Sequence, residues 1–178
     1  MIKLIPFTPV DFSRLISWID SPSLLVQWAG ALMFHYPLDE NQLQEYFQQS
    51  QENNPSRLIF TVLDDIEQRV GHIELGMINR TNGTGSICRV FIDPSQRGKR
   101  FCHAMVEQIL KIGFDDLKLR RIDLRVYSFN TPAVECYRRA GLIQEGVLRK
   151  NQKVGDQVWD TILMGILREE WEGVPKSV

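Results

Sequence analysis

The fold is decided by Asp93–Leu110, DPSQRGKRFCHAMVEQIL, which leads from a strand into a helix. The preceding run 87–93, ICRVFID, is apolar and of strand length, and the apolar residues that follow recur at helical spacing. A turn between the two needs a glycine, here Gly98, but it does not need charge. Three cations nevertheless flank this glycine: Arg97, Lys99 and Arg100. The combination predicts a binding site for an anion.

A phosphate group is the anion that this arrangement favours. The first turn of a helix presents unpaired backbone N–H groups and the positive end of the helix dipole. Gly98 would let the backbone approach phosphate oxygens closely. The loop has neither the GKS or GKT ending of a Walker loop nor a GxGxxG pattern, which argues against nucleotide hydrolysis and dinucleotide binding.

The rest of the chain predicts an α/β fold in one domain spanning residues 1–178. We expect a central, mixed and mostly antiparallel twisted sheet of about seven strands, flanked by about four helices. Asn82-Gly83 between two strands is a hairpin signal. The predicted strands cover 2–6, 57–63, 69–77, 84–92, 122–126, 142–148 and 157–167. The predicted helices follow Thr8, begin near Asp39, span 98–117 and begin at Asn130.

The composition is that of a soluble globular protein, with 43% hydrophobic and 24% charged residues. No apolar run approaches the roughly 20 residues of a membrane helix, and the N-terminal MIKLIPFTPVDF is unlike a signal peptide. The three cysteines, Cys88, Cys102 and Cys136, are odd in number and lack CxxC spacing. This argues against a disulfide framework and a zinc site, and it predicts no metal and a cytoplasmic location.

Charge is unevenly distributed along the chain, although the net charge is only −1. Residues 1–88 contain 5 Lys/Arg against 10 Asp/Glu, residues 89–153 contain 14 against 7, and residues 154–178 contain 2 against 5. A basic middle between acidic flanks fits a site that takes an anionic ligand from one side and a cationic ligand from the other. Chance clustering of solvated charges explains the same distribution equally well.

The anion loop resembles the cofactor loop of the GNAT superfamily of acetyl-CoA-dependent N-acetyltransferases, whose pattern is Gln/Arg-x-x-Gly-x-Gly/Ala between a strand and a long helix. Here the loop spans 95–100 and reads SQRGKR. Ser95 replaces the usual Gln or Arg, and Arg100 replaces the usual second small residue. A side chain at Arg100 either crowds the pyrophosphate of acetyl-CoA or pairs with it, and we favour pairing because the main-chain N–H groups still face the ligand.

Further segments extend the resemblance over nearly the whole chain. The family's second signature is matched by Asn130, Ala133-Val134, Tyr137 and Ala140-Gly141-Leu142. The chain also resembles the subgroup that includes the N-terminal acetyltransferases of ribosomal proteins. This resemblance lies in the segments QWAG, PLDENQLQEYF, Trp159-Asp160 and MGILREEW. The resemblance implies main-chain hydrogen bonds from 90–92 to the pantetheine arm of acetyl-CoA. The implied cofactor contacts are Val90, Phe91, Ile92, Arg97, Gly98, Lys99, Arg100, Phe101, Cys102, Asn130, Ala133 and Tyr137.

Acetyl transfer to an amine requires a neutral nitrogen, donors for the developing oxyanion and a proton for the departing thiolate. The resemblance gives Tyr137 the last role, as general acid or hydrogen-bond donor to the CoA sulfur. The alternative is that Tyr137 has only a structural role, as a half-buried tyrosine on an amphipathic helix. An acyl-cysteine at Cys88 or Cys136 is a further alternative, although the sequence pairs no histidine with either residue.

The base that removes the amine proton is not identified by the sequence. Some family members use a glutamate at a position occupied here by Arg125. Glu74, with His72 on the same face of its strand, is the best remaining candidate for a catalytic and substrate-binding carboxylate, although such residues on a strand are more often structural. For the acceptor pocket the candidates are Trp28 and Phe34, in an aromatic segment that equally fits a core.

The acidic N-terminal block suits a cationic acceptor such as a polyamine, an aminoglycoside or a peptide N-terminus. The alternative function is a sensor that binds acetyl-CoA without turnover, which Ser95 and Arg100 favour and which Asn130 and Tyr137 argue against.

Partners other than a small-molecule or peptide amine are less well supported by the sequence. The basic segments RGKR, KLRR and RKNQK lie on different elements without regular aromatic spacing, and the sequence pI is near 6.3. Nucleic acid is therefore not an expected partner, and neither is a membrane. The last strand hairpin is a candidate surface for a homodimer.

Overall fold

A computed structural model describes residues 2–173. Its strands are β1 (Lys3–Pro6), β2 (Leu58–Leu63), β3 (Arg69–Asn79), β4 (Thr84–Ile92), β5 (Arg121–Tyr127), β6 (Ile143–Val154) and β7 (Gln157–Leu167). Its α-helices are α1 (Phe12–Trp18), α2 (Pro22–Ala29), α3 (Glu40–Gln48), α4 (Phe101–Lys111), α5 (Thr131–Arg139) and α6 (Arg168–Gly173). The strands form one sheet in the order β1-β2-β3-β4-β5-β7-β6, which confirms the predicted α/β fold.

No helix within residues 2–173 is both long enough and apolar enough to cross a membrane.

The sheet is antiparallel except between its central strands. β4 and β5 run parallel and pair from Thr84 opposite Arg121 to Ile87 opposite Leu124. Pairing then stops, although β4 continues to Ile92 and β5 continues to Tyr127. The two strands therefore separate in the middle of the sheet, as the predicted mixed and mostly antiparallel arrangement allows.

A β-bulge lies in β4 just after the point of separation. His72 pairs with Phe91 and Glu74 pairs with Cys88, so two residues of β4 face the single residue Ile73 of β3. One of these two residues, Arg89, has a left-handed backbone with φ of +49°. A bulge of this kind bends its strand and increases the local twist, which turns the end of β4 away from β5.

Two apolar clusters cover the two faces of the sheet. Helices α1, α2 and α3 pack on one face, where Phe12, Leu25 and Tyr46 are buried. Helix α4 packs on the other face through side chains such as Met105 and Ile109, at the spacing that the sequence predicts. Helices thus cover both faces of the central part of the sheet, where β4 and β5 lie.

The helix count and one helix start differ from the sequence prediction. Six α-helices are described in residues 2–173 where about four were expected, because α2 and α6 were missed. A start signal for α2 exists: the Ser21 hydroxyl accepts a hydrogen bond from the Leu24 N–H, and a proline follows the serine. The helix expected over 98–117 begins at residue 101, because Gly98 and Arg100 take left-handed conformations.

The edge strand β6 is largely exposed along its length. Its exposed side chains include the apolar Ile143, Val147 and Leu148. An exposed edge strand with apolar side chains favours pairing with another chain. The hairpin of β6 and β7 stays a predicted dimer surface.

The structure corrects the expectation that the cysteines form no disulfide. Cys102 in the first turn of α4 is bonded to Cys136 in α5, and Cys88 on β4 is free. The bonded residues are 34 positions apart in the sequence. Their number and spacing hold no information about which helices the sheet brings side by side, which is why the sequence argument was wrong.

Reduction of this disulfide should lower the free energy of unfolding. A cross-link restricts the unfolded chain, and the chain-entropy relation gives about 3–4 kcal/mol for the 34-residue separation of these cysteines. The measurement is urea-induced unfolding with and without a thiol reductant. The Cys102→Ser/Cys136→Ser double variant is the control, since its unfolding midpoint should not respond to reductant. A wild-type midpoint that is equally insensitive would contradict the cross-link.

Candidate active site

A cleft of about 790 Å³ opens where β4 and β5 separate. Residues of α2, β4, α4, α5 and the loop before α4 line it. Eleven of the twelve residues that were expected to contact a cofactor line this cleft: Val90, Phe91, Ile92, Arg97, Gly98, Arg100, Phe101, Cys102, Asn130, Ala133 and Tyr137. The two sequence signatures, which are far apart in the chain, therefore meet at one site.

Lys99 is the one residue of this set that does not line the cleft. It is exposed, and its ammonium group donates a hydrogen bond to the side-chain oxygen of Gln96 at 2.6 Å. Its neighbours Gly98 and Arg100 line the cleft, whereas Lys99 between them does not. The prediction of a direct cofactor contact for Lys99 is therefore not supported by its position.

The loop before α4 is shaped by its own side chains and backbone. The Asp93 carboxylate accepts hydrogen bonds from the Ser95 N–H at 2.9 Å and from the Ser95 hydroxyl at 2.7 Å. Ser95, which departs from the family pattern, thus closes a turn at the start of the loop. Gly98 and Arg100 then adopt φ values of +82° and +62°, and α4 begins. These turns place the start of α4 at the cleft.

The cleft is cationic at this end. Arg97, Arg100 and Arg139 all line it, and the Arg97 guanidinium carbon lies 5.9 Å from the centre of the Phe91 ring. The first turn of the 11-residue helix α4 adds unpaired N–H groups and the positive end of a helix dipole. Phosphate oxygens fit such an end of a cleft.

The wall formed by β4 offers backbone groups as well as side chains. Beyond Ile87, no strand within residues 2–173 pairs with the edge of β4 that faces β5. Val90, Phe91 and Ile92 line the cleft along this edge. An unpaired strand edge can hydrogen-bond to an extended ligand as it would to a further strand. This geometry suits a linear, amide-containing ligand.

Helix α5 brings Asn130 and Tyr137 to the cleft. The Asn130 carbonyl accepts hydrogen bonds from the N–H groups of Ala133 at 3.0 Å and Val134 at 3.1 Å, which starts the helix. Pro132 occupies the first turn, where its missing N–H has no cost. Tyr137 follows Asn130 by seven residues, about two helical turns, so both lie on the same side of the helix.

Tyr137 is a buried phenol in the lining of the cleft, with 6% of its surface exposed. Burial raises the pKa of Tyr137 well above its ordinary value, and the nearby Cys88 raises it further. The hydroxyl is therefore protonated at neutral pH and can donate a hydrogen bond. The position and protonation state fit the predicted role of a donor to a leaving group.

Glu74 lies outside the cleft, in a buried network of charges. It is 1% exposed. Its carboxylate accepts a hydrogen bond from the Tyr46 hydroxyl at 2.6 Å and pairs with Arg89 at 3.1 Å and Arg57 at 3.7 Å. A carboxylate paired with two guanidinium groups and away from the cleft is poorly placed to remove a substrate proton. The geometry argues against the predicted roles of Glu74 as base and substrate ligand.

His72 adjoins the same network on the same face of β3. Its Nε2 lies 3.2 Å from the Tyr46 hydroxyl oxygen, and its ring is enclosed by Phe7 and Trp28. Burial first, and the charge of Arg89 second, lower the pKa of His72 to about 3. The imidazole is therefore neutral in the folded protein, and it lies in the core.

The two aromatic residues expected at the acceptor pocket have different positions. Trp28 lines the cleft, and its indole N–H donates a hydrogen bond to the Arg89 carbonyl at 3.0 Å. Phe34 is stacked on Trp28 with ring centres 5.4 Å apart, and it lines a second cavity of about 360 Å³ that includes His35 and Tyr46. Phe34 therefore supports the wall of the main cleft from behind.

The cysteines do not supply a nucleophile. Burial and the charge of Glu74 raise the pKa of Cys88 to about 11, so its reactive thiolate form is scarce at neutral pH. Cys136 is bonded to Cys102. An acyl-cysteine intermediate has no support from this arrangement.

Some lining residues were not singled out by the sequence: Leu24, Gln27, Gln96, His103, Pro132, Glu135 and Arg139. Leu24 and Gln27 belong to α2, so the start signal at Ser21 would have placed them on a helix but not against β4. That contact depends on packing between elements distant in the chain.

Within residues 2–173, no group of three or more His, Cys, Asp or Glu side chains is placed to hold a metal ion.

Comparison with known proteins gives a consistent family. Residues 24–142 match the model of the acetyltransferase (GNAT) family. The SPbeta prophage-derived uncharacterized N-acetyltransferase YokL of Bacillus subtilis is 32% identical over 138 residues, which are 78% of this chain and 76% of that protein. The spermidine N(1)-acetyltransferase of Vibrio cholerae is 28% identical over 131 residues, 74% of this chain and 75% of that protein.

A solved structure shares the fold at low sequence identity. Spermidine N-acetyltransferase from Vibrio cholerae, crystallised in complex with CoA and spermine, superposes with a TM-score of 0.83. The two sequences are 23% identical, and the match covers 96% of this chain and 98% of that chain.

Acid should destabilise the protein through His72. The pKa of His72 is about 3 in the folded protein, whereas a histidine in an unfolded chain titrates near 6.5. Below about pH 6.5 the unfolded state therefore binds a proton that the folded state does not, so the free energy of unfolding falls as the pH drops from about 6.5 toward 3. The slope from this one group approaches about 1.4 kcal/mol per pH unit.

The measurement is urea-induced unfolding between about pH 4.5 and 7 for the wild type and for His72→Gln. Carboxylates titrate in both proteins, so the difference between the two slopes isolates the imidazole. The wild type should show the steeper loss of stability with acid. Equal slopes would mean that His72 is not held neutral by the fold.

Proposed function

Because this chain belongs to the GNAT family of acetyltransferases, we propose that it transfers the acetyl group of acetyl-CoA to a primary amine, by direct attack in a ternary complex. The acceptor is a small-molecule amine or a protein N-terminus. The observation on which this rests is the meeting of the loop at Gly98, the free edge of β4 and Tyr137 in one cleft. The acetyl donor is acetyl-CoA, as family membership implies.

The residues of the cleft fit this donor. Its volume of about 790 Å³ lies in the range of small-molecule sites. Arg97, Arg100 and the first turn of α4 would hold the phosphates, and the edge of β4 from Val90 to Ile92 would bond to the amides of the pantetheine arm. Acetyl-CoA supplies an activated thioester when it is bound.

The chain's own residues then serve the transfer. Tyr137 keeps its proton at neutral pH and donates it, or a hydrogen bond, to the departing sulfur. Trp28 and the rest of the apolar lining exclude water from the reacting centre. Glu74 takes no proton from the amine, because it is buried and paired with Arg89 and Arg57. The proton that the amine loses as its bond to the acetyl carbon forms and the carbon–sulfur bond breaks therefore passes to water.

A cationic amine is the acceptor class that we favour. Residues 1–88 have 10 acidic against 5 basic side chains, an excess of negative charge that would attract a cation. The spermidine N(1)-acetyltransferase of Vibrio cholerae is among the relatives, and a spermidine N-acetyltransferase from the same organism was crystallised with CoA and spermine. Both observations support a polyamine-like amine over a neutral acceptor.

Calorimetric titration with acetyl-CoA, followed by an amine screen that measures release of free thiol, tests the proposal. We expect micromolar binding, about −8 kcal/mol, with no comparable binding of ATP or NAD. Binding without thiol release from any amine would favour the alternative of an acetyl-CoA sensor, to which the Ser95 and Arg100 departures point. Failure to bind acetyl-CoA would contradict both functions.

Gly98→Asp should weaken acetyl-CoA binding by more than about tenfold, because it adds a Cβ at φ +82° and a negative charge at the phosphate end of the cleft. The matched control is Gly155→Asp in the turn between β6 and β7. Gly155 also has a positive φ, +56°, with open space where a Cβ would lie, and it is outside the cleft lining. Both variants should be compared by calorimetry. Equal affinity in the two would remove the loop from the site.

Tyr137→Phe should lower kcat by about 10²–10⁴-fold, the usual contribution of a general acid, while the Kd for acetyl-CoA stays close to the wild-type value. The loss comes from the missing hydroxyl alone, since the ring still fills the buried position. Tyr36→Phe, whose hydroxyl bonds to the Asp20 carbonyl outside the cleft, is the control and should retain its turnover. A wild-type kcat in Tyr137→Phe would make the tyrosine structural.

A further inference from the structure

The buried network around Glu74 lies directly beneath the bulge of β4. Three side chains from three elements converge on its carboxylate: Tyr46 of α3, Arg57 before β2 and Arg89 of β4. Both guanidinium groups also lie over the Tyr46 ring, at 5.6 Å for Arg57 and 5.3 Å for Arg89. The Arg89 Nε is 3.1 Å from the Glu74 oxygen but is not aligned for a hydrogen bond, so the contact is an ion pair.

Arg89 has an unusual backbone for its residue type. Its φ is +49°, a left-handed conformation that residues with a Cβ seldom adopt. Such a conformation persists only where the surroundings enforce it. Here the Arg89 side chain forms an ion pair with Glu74, and the Arg89 carbonyl oxygen accepts a hydrogen bond from the indole N–H of Trp28 at 3.0 Å. Both ends of the residue are therefore fixed.

The conformation of Arg89 sets the path of the cofactor-facing strand. The pairing of β4 with β5 ends at Ile87, two residues before Arg89, and the cleft lining of β4 begins at Val90, one residue after it. The bulge at Arg89 is thus the junction between the paired half of β4 and the half that forms the wall of the cleft. A strand without the bulge would keep its register with β3 through this point.

We propose that Glu74 is a positioning residue, whose ion pair with Arg89 holds the left-handed bulge of β4 and thereby keeps the edge from Val90 to Ile92 separated from β5. Glu74 acts through Arg89 and touches neither acetyl donor nor amine. This role uses the features that disqualify Glu74 as a base, namely its burial and its two cationic partners. The proposal rests on the proposed function where acetyl-CoA is the probe.

Two double variants separate backbone conformation from charge. We call Glu74→Gln/Arg89→Gly the glycine pair and Glu74→Gln/Arg89→Gln the glutamine pair. Both double variants remove the ion pair between residues 74 and 89, and both leave Arg57 unchanged. Glycine adopts φ +49° without a steric penalty, whereas glutamine, which has a Cβ, adopts it only at a steric cost. The glycine pair should bind acetyl-CoA within about threefold of wild type, and the glutamine pair on the order of tenfold or more weakly. Equal affinities in the two would overturn the proposal.

Turnover distinguishes positioning from catalysis. At saturating acetyl-CoA and acceptor, the glycine pair should keep a kcat near the wild-type value, while the glutamine pair should show its defect mainly in the KM for acetyl-CoA. A glycine pair that binds normally but has lost kcat by orders of magnitude would make Glu74 a catalytic residue and would also overturn the proposal.

The control for a lost ion pair is Asp11→Asn. This variant breaks the ion pair with Arg69 at 2.6 Å, outside the cleft lining, and it should leave both kcat and the KM for acetyl-CoA unchanged.

Amide hydrogen exchange gives a readout that does not need acetyl-CoA. The amides of 88–92 should exchange faster in the glutamine pair than in wild type, and protection should return in the glycine pair. If wild type failed to bind acetyl-CoA, the proposed function would fall, yet this exchange pattern would still test the positioning role. Unchanged protection in the glutamine pair would overturn it.

Discussion

The candidate site depends on a parallel ladder between β4 and β5 that pairs only four residues of each strand. Had the ladder continued past Ile87 and Leu124, the backbone groups beyond it would have bonded within the sheet. Because it stops, the edge from Val90 to Ile92 is left for a ligand, and residues from the first turns of α4 and α5 line the same cleft. The loop before α4 and Tyr137 belong to one site only because the strands separate.

A gap of this kind needs a cause that acts before any ligand is bound. Buried ion pairs add little net stability, since the cost of removing two charges from water offsets most of their attraction. The charges around Glu74 are therefore poorly explained as a device for stability. They are better explained by the backbone that they hold, because Arg89 sits at the junction where β4 leaves its partner. Here an electrostatic interaction determines the shape of a sheet.

Local patterns in the sequence predicted the parts of the site that are local. The glycine turn before α4, the hairpin at Asn82-Gly83 and the start of α5 at Asn130 each depend on a few adjacent residues, and the structure confirms the elements they mark. Period-two alternation also placed His72 and Glu74 on one face of β3. It could not tell that this face meets Tyr46 and two arginines, because those contacts join elements far apart in the chain. The same limit explains the disulfide between Cys102 and Cys136.

Arg100 shows how a departure from a family pattern can be reconciled with the fold. The family has a small residue at this position, and here Arg100 has φ +62° at the start of α4. That conformation costs a residue with a Cβ about 1–2 kcal/mol relative to the right-handed region. Its side chain lines the cleft beside Arg97, where a bound pyrophosphate would gain charge-assisted hydrogen bonds of about 1.5–3 kcal/mol each. The strain is present in the free protein, whereas the gain requires a bound anion. The position of Arg100 is therefore better explained by the proposed phosphate site than by a loop that Arg100 closes to phosphate.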